Sequence, residues 1–298
     1  MSIHEQTEHR ALHENTVLRS LTPREDASLV LVSLRTALAM NRKIVEALIT
    51  QRTFDRKEDQ SPATETDRLC EDLAREMFHD AFGTAVTFMG EESGGTFNEN
   101  GYCLAVDPID GTWGFIGDTG MFSAVINIYK DGKPHLGLVS QPTGSEMMYA
   151  VGDEPTRLLR AERWGIGNNW QTMPQIQDQK SALVNMQWQK NDDDLMTALA
   201  KAWKQNTIQQ VRSTGGSPAL SMAEVAKGST MYASNWKKAS SPHDLGAGIK
   251  IIENAGGSTV DLDGAPIQPI GHAGIFVAGL HKEHQDIVRG IIRNAMPA

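Results

Sequence analysis

Acidic side chains gather at four places in this 298-residue chain. They are Asp67 after Ser-Pro-Ala-Thr-Glu-Thr, Glu91-Glu92 after Met-Gly, Asp107-Pro-Ile-Asp110-Gly-Thr112, and Asp244 in Ser-Pro-His-Asp-Leu-Gly-Ala-Gly. The third is the most informative. An apolar run, Leu104-Ala-Val, delivers Asp107 at its end. Pro108 removes a backbone donor and is expected to stop the strand. Asp110 follows three residues on, and Gly111-Thr112 opens a tight turn. Carboxylate oxygens beside an exposed backbone carbonyl are what a hard cation binds. Free N–H groups at a turn or helix start can face a phosphate oxygen. Each cluster also has a plainer reading: Asp-Pro and Asp-Gly are common turn dipeptides, Glu91-Glu92 suits a solvated loop, and Asp244 suits an N-cap for a helix starting at Leu245. Only the four together point to chemistry.

These acids need elements to position them. Thr22-Pro23-Arg24-Glu25 supplies a helix start, and an apolar stripe through Val30, Leu34, Leu38, Val45 and Leu48 carries the helix to about residue 50, interrupted at Asn41. A second helix is expected from Thr66, with Leu69, Leu73, Met77 and Phe78 on its inner side. Residues 85–89 and 102–106 are short strand candidates; 120–129 reads as a strand with Asp131-Gly132 as a hairpin turn, and 136–139 and 147–151 continue an antiparallel-looking meander. Further on, 157–180 reads as surface loops with an edge strand. Strands are expected at 182–188 and 275–278, and helices at 192–204, 217–226, 245–254 and 284–294. Strand runs mixed with helix pairs indicate a layered α/β or α+β arrangement. The expected division is an N-terminal arm over 1–21, a lobe over 22–155 carrying most of the acids, and a lobe over 156–298 completing the site.

Composition narrows the partners. Lys and Arg number 28 against 37 Asp and Glu, a formal charge of −9, and 40% of residues are apolar. That is an ordinary globular composition without the basic patch that nucleic acid or an anionic membrane requires. No stretch is apolar and long enough to span a bilayer, and the first 20 residues lack the apolar core of a secretory signal. Cys70 and Cys103 read as two buried free thiols, and the cytoplasm is the default location.

The four acidic segments, taken with Lys57-Glu-Asp-Gln-Ser-Pro upstream of Asp67 and Glu253-Asn-Ala-Gly-Gly257 downstream of Asp244, resemble the signatures of the inositol monophosphatase superfamily, in the family's order and at similar spacing. The resemblance covers about residues 57–261. It implies an αβαβα sandwich of the inositol monophosphatase and fructose-1,6-bisphosphatase type. It also implies Mg²⁺-dependent, lithium-sensitive hydrolysis of a small phosphorylated metabolite, and a homodimer. By the same resemblance, Glu91, Asp107 and the Ile109 carbonyl hold one Mg²⁺, and Asp107, Asp110 and Asp244 hold a second. Asp67 lies by a looser third and, with Thr112, positions the attacking water. The Gly111 and Thr112 amides bind phosphate, with Gly216 and Ser217 nearby. Paired cations suit the chemistry, because a phosphomonoester dianion resists neutral water.

Substrate choice is left open. Segments 111–117, 121–128 and 132–142 are similar to the 3'(2'),5'-bisphosphate nucleotidase and histidinol-phosphatase branches. A bisphosphate nucleotide or inositol monophosphate is the first expectation, with histidinol phosphate or a sugar bisphosphate as the alternative. His243 stands where the family commonly has Trp and reads as a packed aromatic substitute, with a titrating role open. Lys237 and Lys238 either meet a second phosphate or stand solvated. Trp113 either stacks on a base or imidazole or fills the core. The tryptophans at 164, 170, 188 and 203 are assigned to packing. A catalytically lapsed metal-binding regulator on the same fold is the reading from another class.

Overall fold

The computed structural model of the protein describes residues 24–50, 53–57, 62–144, 146–160, 170–172, 183–186, 193–213, 216–228 and 230–296. The arm over 1–21, the Thr22-Pro23 cap and the tryptophans at 164 and 188 lie outside the described residues.

Five layers stack on one another. The first is two helices, α1 (Arg24–Thr50) and α2 (Glu65–Phe82). They cover one face of an eight-stranded sheet built from β3 (Val86–Gly90), β4 (Gly94–Gly95), β5 (Tyr102–Asp110), β6 (Ser123–Lys130), β7 (Lys133–Gln141), β8 (Glu146–Val151), β9 (Arg157–Arg160) and β10 (Trp170–Thr172). The sheet order is β10-β9-β8-β7-β6-β5-β3-β4, antiparallel except for the β3–β5 pair. A small hairpin, β1 (Phe54–Arg56) with β2 (Pro62–Thr64), joins α1 to α2. Alternation sorts the side chains: Leu104, Val106, Ile126 and Leu138 pack under α1 and α2, while Val125, Val139 and Met148 face the opposite way.

That opposite face is covered by α5 (Pro218–Ala226) and α6 (Gly246–Asn254), whose Ala219, Ala223, Ala247 and Ile251 lie on the sheet. The other side of the same helices, Met222, Val225, Ile249 and Ile252, packs on Tyr232 and Phe276 of a second sheet. This sheet is β11 (Leu183–Met186), β12 (Gln210–Ser213), β13 (Met231–Trp236), β14 (Ser258–Asp261) and β15 (Gly274–Gly279), in the order β12-β11-β13-β15-β14. Its far face is closed by α4 (Asp193–Lys204) and α7 (Lys282–Ala295), through Leu195, Leu199, Val288 and Ile292. The result is the αβαβα sandwich. Among the described residues no helix is long and apolar enough to cross a membrane.

Four expectations need correction. Asn41 does not interrupt α1; it is buried and donates through Nδ2 to Ser140 Oγ at 2.6 Å, fastening the helix to β7. Phe78 and, partly, Leu73 do face the core from α2, but Leu69 is 48% exposed, and the rest of the inner side is Asp67, Cys70, Glu71 and Ala74. Trp203 is likewise exposed rather than packed. Pro108 does not end β5, which continues to Asp110 through a register shift: Asp107 lies opposite Val125 but Asp110 opposite Ser123. One extra residue on β5 makes this a β-bulge, a place where a strand tolerates proline.

Candidate active site

The bulge decides where the acids point. In a regular strand, residues three apart face opposite sides of the sheet. Here the inserted residue puts Ile109 into the same core as Leu104 and Val106. Asp110 is thereby turned to the side that Asp107 already faces, and the two carboxyls influence each other electrostatically. Asp107 is buried, and its Oδ1 accepts the Ile109 N–H at 3.0 Å. Burial, then the charges of Glu91, Asp110 and Asp67, hold its carboxyl well above the ordinary range, with a hydrogen bond to Glu91. Asp110 Oδ2 accepts from the Ser217 hydroxyl and from the Ala219 N–H at 2.8 Å. Its carboxyl is raised to about 7, chiefly by burial, with these two bonds opposing the rise and the charges of Asp244 and Glu91 adding to it.

The turn after β5 requires glycine. Gly111 has φ +90°, and a Cβ there would stand 2.7 Å from the Ser217 nitrogen. Gly216 is equally confined, by the Met121 carbonyl. Gly216 and Ser217 thus lie directly against the Gly111-Thr112 turn. Ser217 caps α5, with its Oγ accepting from Leu220 N–H at 2.8 Å, and shares a 2.8 Å hydrogen bond with Ser123 at the start of β6. Thr112 opens α3 (Thr112–Ile116) and donates its hydroxyl to the Ile109 carbonyl at 3.2 Å.

Asp67 is placed by α2. Thr64 and Asp67 form a reciprocal capping box, with the Thr64 N–H and hydroxyl reaching Asp67 Oδ2 at 2.8 and 2.7 Å. The Asp67 carboxyl is raised to about 7, chiefly by burial, with the Thr64 bonds opposing the rise and the charges of Glu91 and Glu92 adding to it. One helical turn on, Glu71 is wholly buried and accepts from Glu92 N–H, Ser93 N–H and Ser93 Oγ. It therefore fixes the loop that presents Glu91. Glu71 is a positioning residue that the sequence reading passed over, although its i,i+4 spacing from Asp67 put it on the same helix face.

Asp244 arrives from the second half of the chain. Tyr129 OH donates to the Pro242 carbonyl at 2.8 Å and Asn127 Nδ2 to the His243 carbonyl at 3.0 Å, so β6 anchors the segment. Asp244 does not cap α6: the N-cap is Leu245, and Asp244 Oδ2 accepts from Ser241 N–H instead. Its carboxyl is raised by burial, against the pull of His243 and the Ser241 bond. The His243 side chain is largely enclosed, with Nε2 3.5 Å from Asp244 Oδ1. Lys237 and Lys238 are exposed.

Lys57, at the end of β1, supplies positive charge in this acidic cluster. Its Nζ lies 2.7 Å from Glu91 Oε1 and also pairs with Glu92. Burial alone would raise the Glu91 carboxyl, but Lys57, then His243, outweigh it and hold Glu91 below its ordinary value. Among the described residues no three His, Cys, Asp or Glu side chains are arranged to hold a metal ion as they stand. The donor set nonetheless fits hard cations: four mutually interacting carboxylates, all oxygen donors, with the Ile109 carbonyl between two of them. A separate cavity of about 680 Å³, lined by Asp26, Lys130, Lys133, His135 and Lys250 among others, lies at the far end of β6 and β7 from these acids.

A model of the inositol monophosphatase family matches residues 26–296, nearly the whole chain. The chain belongs to that family. Its members are phosphatases. One relative, the fructose-1,6-bisphosphatase/inositol-1-monophosphatase of Thermotoga maritima, is 26% identical over 76% of this chain and 81% of its own length. Histidinol-phosphatase of Mycobacterium tuberculosis is 35% identical, but over 33% of this chain and only 37% of that protein. The fold also superposes on the extragenic suppressor protein suhB of Bartonella henselae, with a TM-score of 0.76 over 90% of this chain and 99% of that one, at 18% identity. Family members thus include proteins named for different substrates, and the fold is shared with a solved structure.

Proposed function

We propose that the protein is a Mg²⁺-dependent phosphatase that hydrolyses a small phosphomonoester with water as the nucleophile. The observation that carries this reading is the convergence of Glu91, Asp107, Asp110 and Asp244, from separate stretches of the chain, into one electrostatically coupled group beside the Gly111-Thr112 turn. Glu91, Asp107 and the Ile109 carbonyl would hold one ion; Asp107, Asp110 and Asp244 would hold another; Asp67 would serve a third. The chemistry supplied by bound Mg²⁺ is acidification of water and compensation of charge on the leaving oxygen.

The chain's own residues do the rest. The Gly111 and Thr112 amides, at the open start of α3, orient the phosphoryl oxygens. Ser217 holds Asp110 and the phosphate turn in one frame, and the bulge keeps Asp107 and Asp110 on one side. Asp67 and Thr112 orient the attacking water. Lys57 must share Glu91 with any cation that binds there. The reading extends to a cytoplasmic homodimer, which sedimentation of the purified protein would test.

The test is phosphate release from bisphosphate nucleotide, inositol phosphate, histidinol phosphate and sugar bisphosphate, each with Mg²⁺ and with chelator. Mg²⁺-dependent release from at least one supports the proposal. Release from none, with Mg²⁺ binding shown by calorimetry, would favour the lapsed regulator instead.

A further inference from the structure

Six large apolar side chains stand exposed among the described residues, and only two of them, Phe54 and Trp113, form a ring pair. Phe54 is 37% and Trp113 50% exposed, so Trp113 does not fill the core. Their rings meet edge to face with centroids 5.5 Å apart. The Arg56 guanidinium lies 5.6 Å from the Trp113 centroid and 5.8 Å from that of Phe54.

The position of this corner is set by the site. Trp113 follows Thr112 directly, in the first turn of α3. Phe54 is the cross-strand partner of Thr64, the residue that holds Asp67. Directly paired residues of antiparallel strands share a face, and Phe54 and Arg56, two apart, share it as well. Asp55 faces the other way, toward Arg68 at 3.5 Å. Lys57, the next residue, reaches Glu91. One short hairpin therefore ties the aromatic corner to the acids on one side and to the phosphate turn on the other.

The chemistry of the corner selects among alcohols. Indole, phenyl and guanidinium planes stack on a flat π-system. A polyol can lay its C–H edges on such rings, but its hydroxyls also need oxygen or nitrogen acceptors and none of these three side chains supplies one, so the corner favours a flat ring over a polyol. We infer that Phe54, Arg56 and Trp113 form the leaving-group subsite and that the substrate is a phosphomonoester whose alcohol carries a planar heteroaromatic ring, imidazole or purine. The inference rests on the phosphatase reading above, and it is separable from it.

The experiment measures kcat/KM of the full-length protein with Mg²⁺ on histidinol phosphate and adenosine 3',5'-bisphosphate, against inositol 1-phosphate and fructose 1,6-bisphosphate. One ring-bearing substrate is expected to exceed both polyols at least tenfold, and which one it is distinguishes imidazole from purine. Trp113→Ala is expected to shrink that ratio by about tenfold, the effect of losing one aromatic stack, and Trp113→Phe to preserve most of it. In parallel, calorimetry on metal-free protein follows binding of the ring-bearing alcohols histidinol and adenosine 5'-phosphate. Affinity should fall with Trp113→Ala by a similar factor. Polyols hydrolysed as well as ring-bearing substrates, or a ratio and an affinity unmoved by Trp113→Ala, overturn the inference. If nothing is hydrolysed, the phosphatase reading fails, and the calorimetry still decides the subsite: Trp113-dependent binding supports it and its absence overturns it.

Discussion

The buried carboxylate of Glu71 accepts both the backbone N–H of Ser93, at 2.9 Å, and its hydroxyl, at 2.5 Å. With the Glu92 N–H at 2.6 Å, these bonds clamp the loop that carries Glu91. Gly90 passes so close that a Cβ there would stand 2.1 Å from Glu71 Oε2. Glu71→Gln keeps the shape but turns one acceptor oxygen into an amide donor facing other donors. It should cost about 1–3 kcal/mol, read as a lower denaturation midpoint. Turnover should also fall, because Glu91 is no longer held. Full turnover with only the stability loss would mean that the clamp is structural alone.

Ser217 has two duties, capping α5 and holding Asp110. Ser217→Ala should lose about 1 kcal/mol of stability with the cap and reduce kcat by about tenfold or more as Asp110 loosens. Thermal melts and steady-state kinetics on one preparation separate the two effects. A stability loss with kcat intact would confine Ser217 to the cap.

The acids also predict a pH dependence. Asp67 and Asp110 are raised from 3.8 to about 7 in the folded protein. They bind protons more tightly folded than unfolded, so their contribution to stability is complete below about pH 4 and is lost as pH rises to about 7. Glu91 is shifted down and works in the opposite sense: its contribution is present above the ordinary carboxylate range and is lost as pH falls through its folded value. Chelator-treated protein should therefore melt lower at pH 8 than at pH 5.5, by an amount equivalent to a few kcal/mol. Asp110→Asn should narrow the gap. Equal melting points for wild type at the two pH values would contradict this account.

Much of this was legible in the sequence. The meander, the Asp131-Gly132 turn with φ of 51° and 74°, and the acidic segments stand where their residues indicated. The less legible parts share a cause: long-range contacts overrode local preference. Pro108 signals a strand end, yet pairing with β6 carries β5 onward through a bulge. Leu69 belongs to an apolar stripe, yet burying Asp67 and Glu71 turns α2 so that Leu69 faces solvent. Asp244 has the composition of a cap, yet Tyr129 and Asn127 hold its segment in a turn that directs it elsewhere. The β1–β2 hairpin is too short and polar to show a period, so the neighbourhood of Phe54 and Trp113 emerges only from the structure.

The most direct test of the central claim is phosphate release by wild type and Asp107→Asn, each with Mg²⁺ and after chelation. Asp107 is the acid assigned to both cations. Wild type should release phosphate only with Mg²⁺, and Asp107→Asn should lose about a thousandfold or more while keeping its circular dichroism and a melting point in chelator no lower than wild type. Release that survives chelation, or an Asp107→Asn variant near the wild-type rate, would contradict the account.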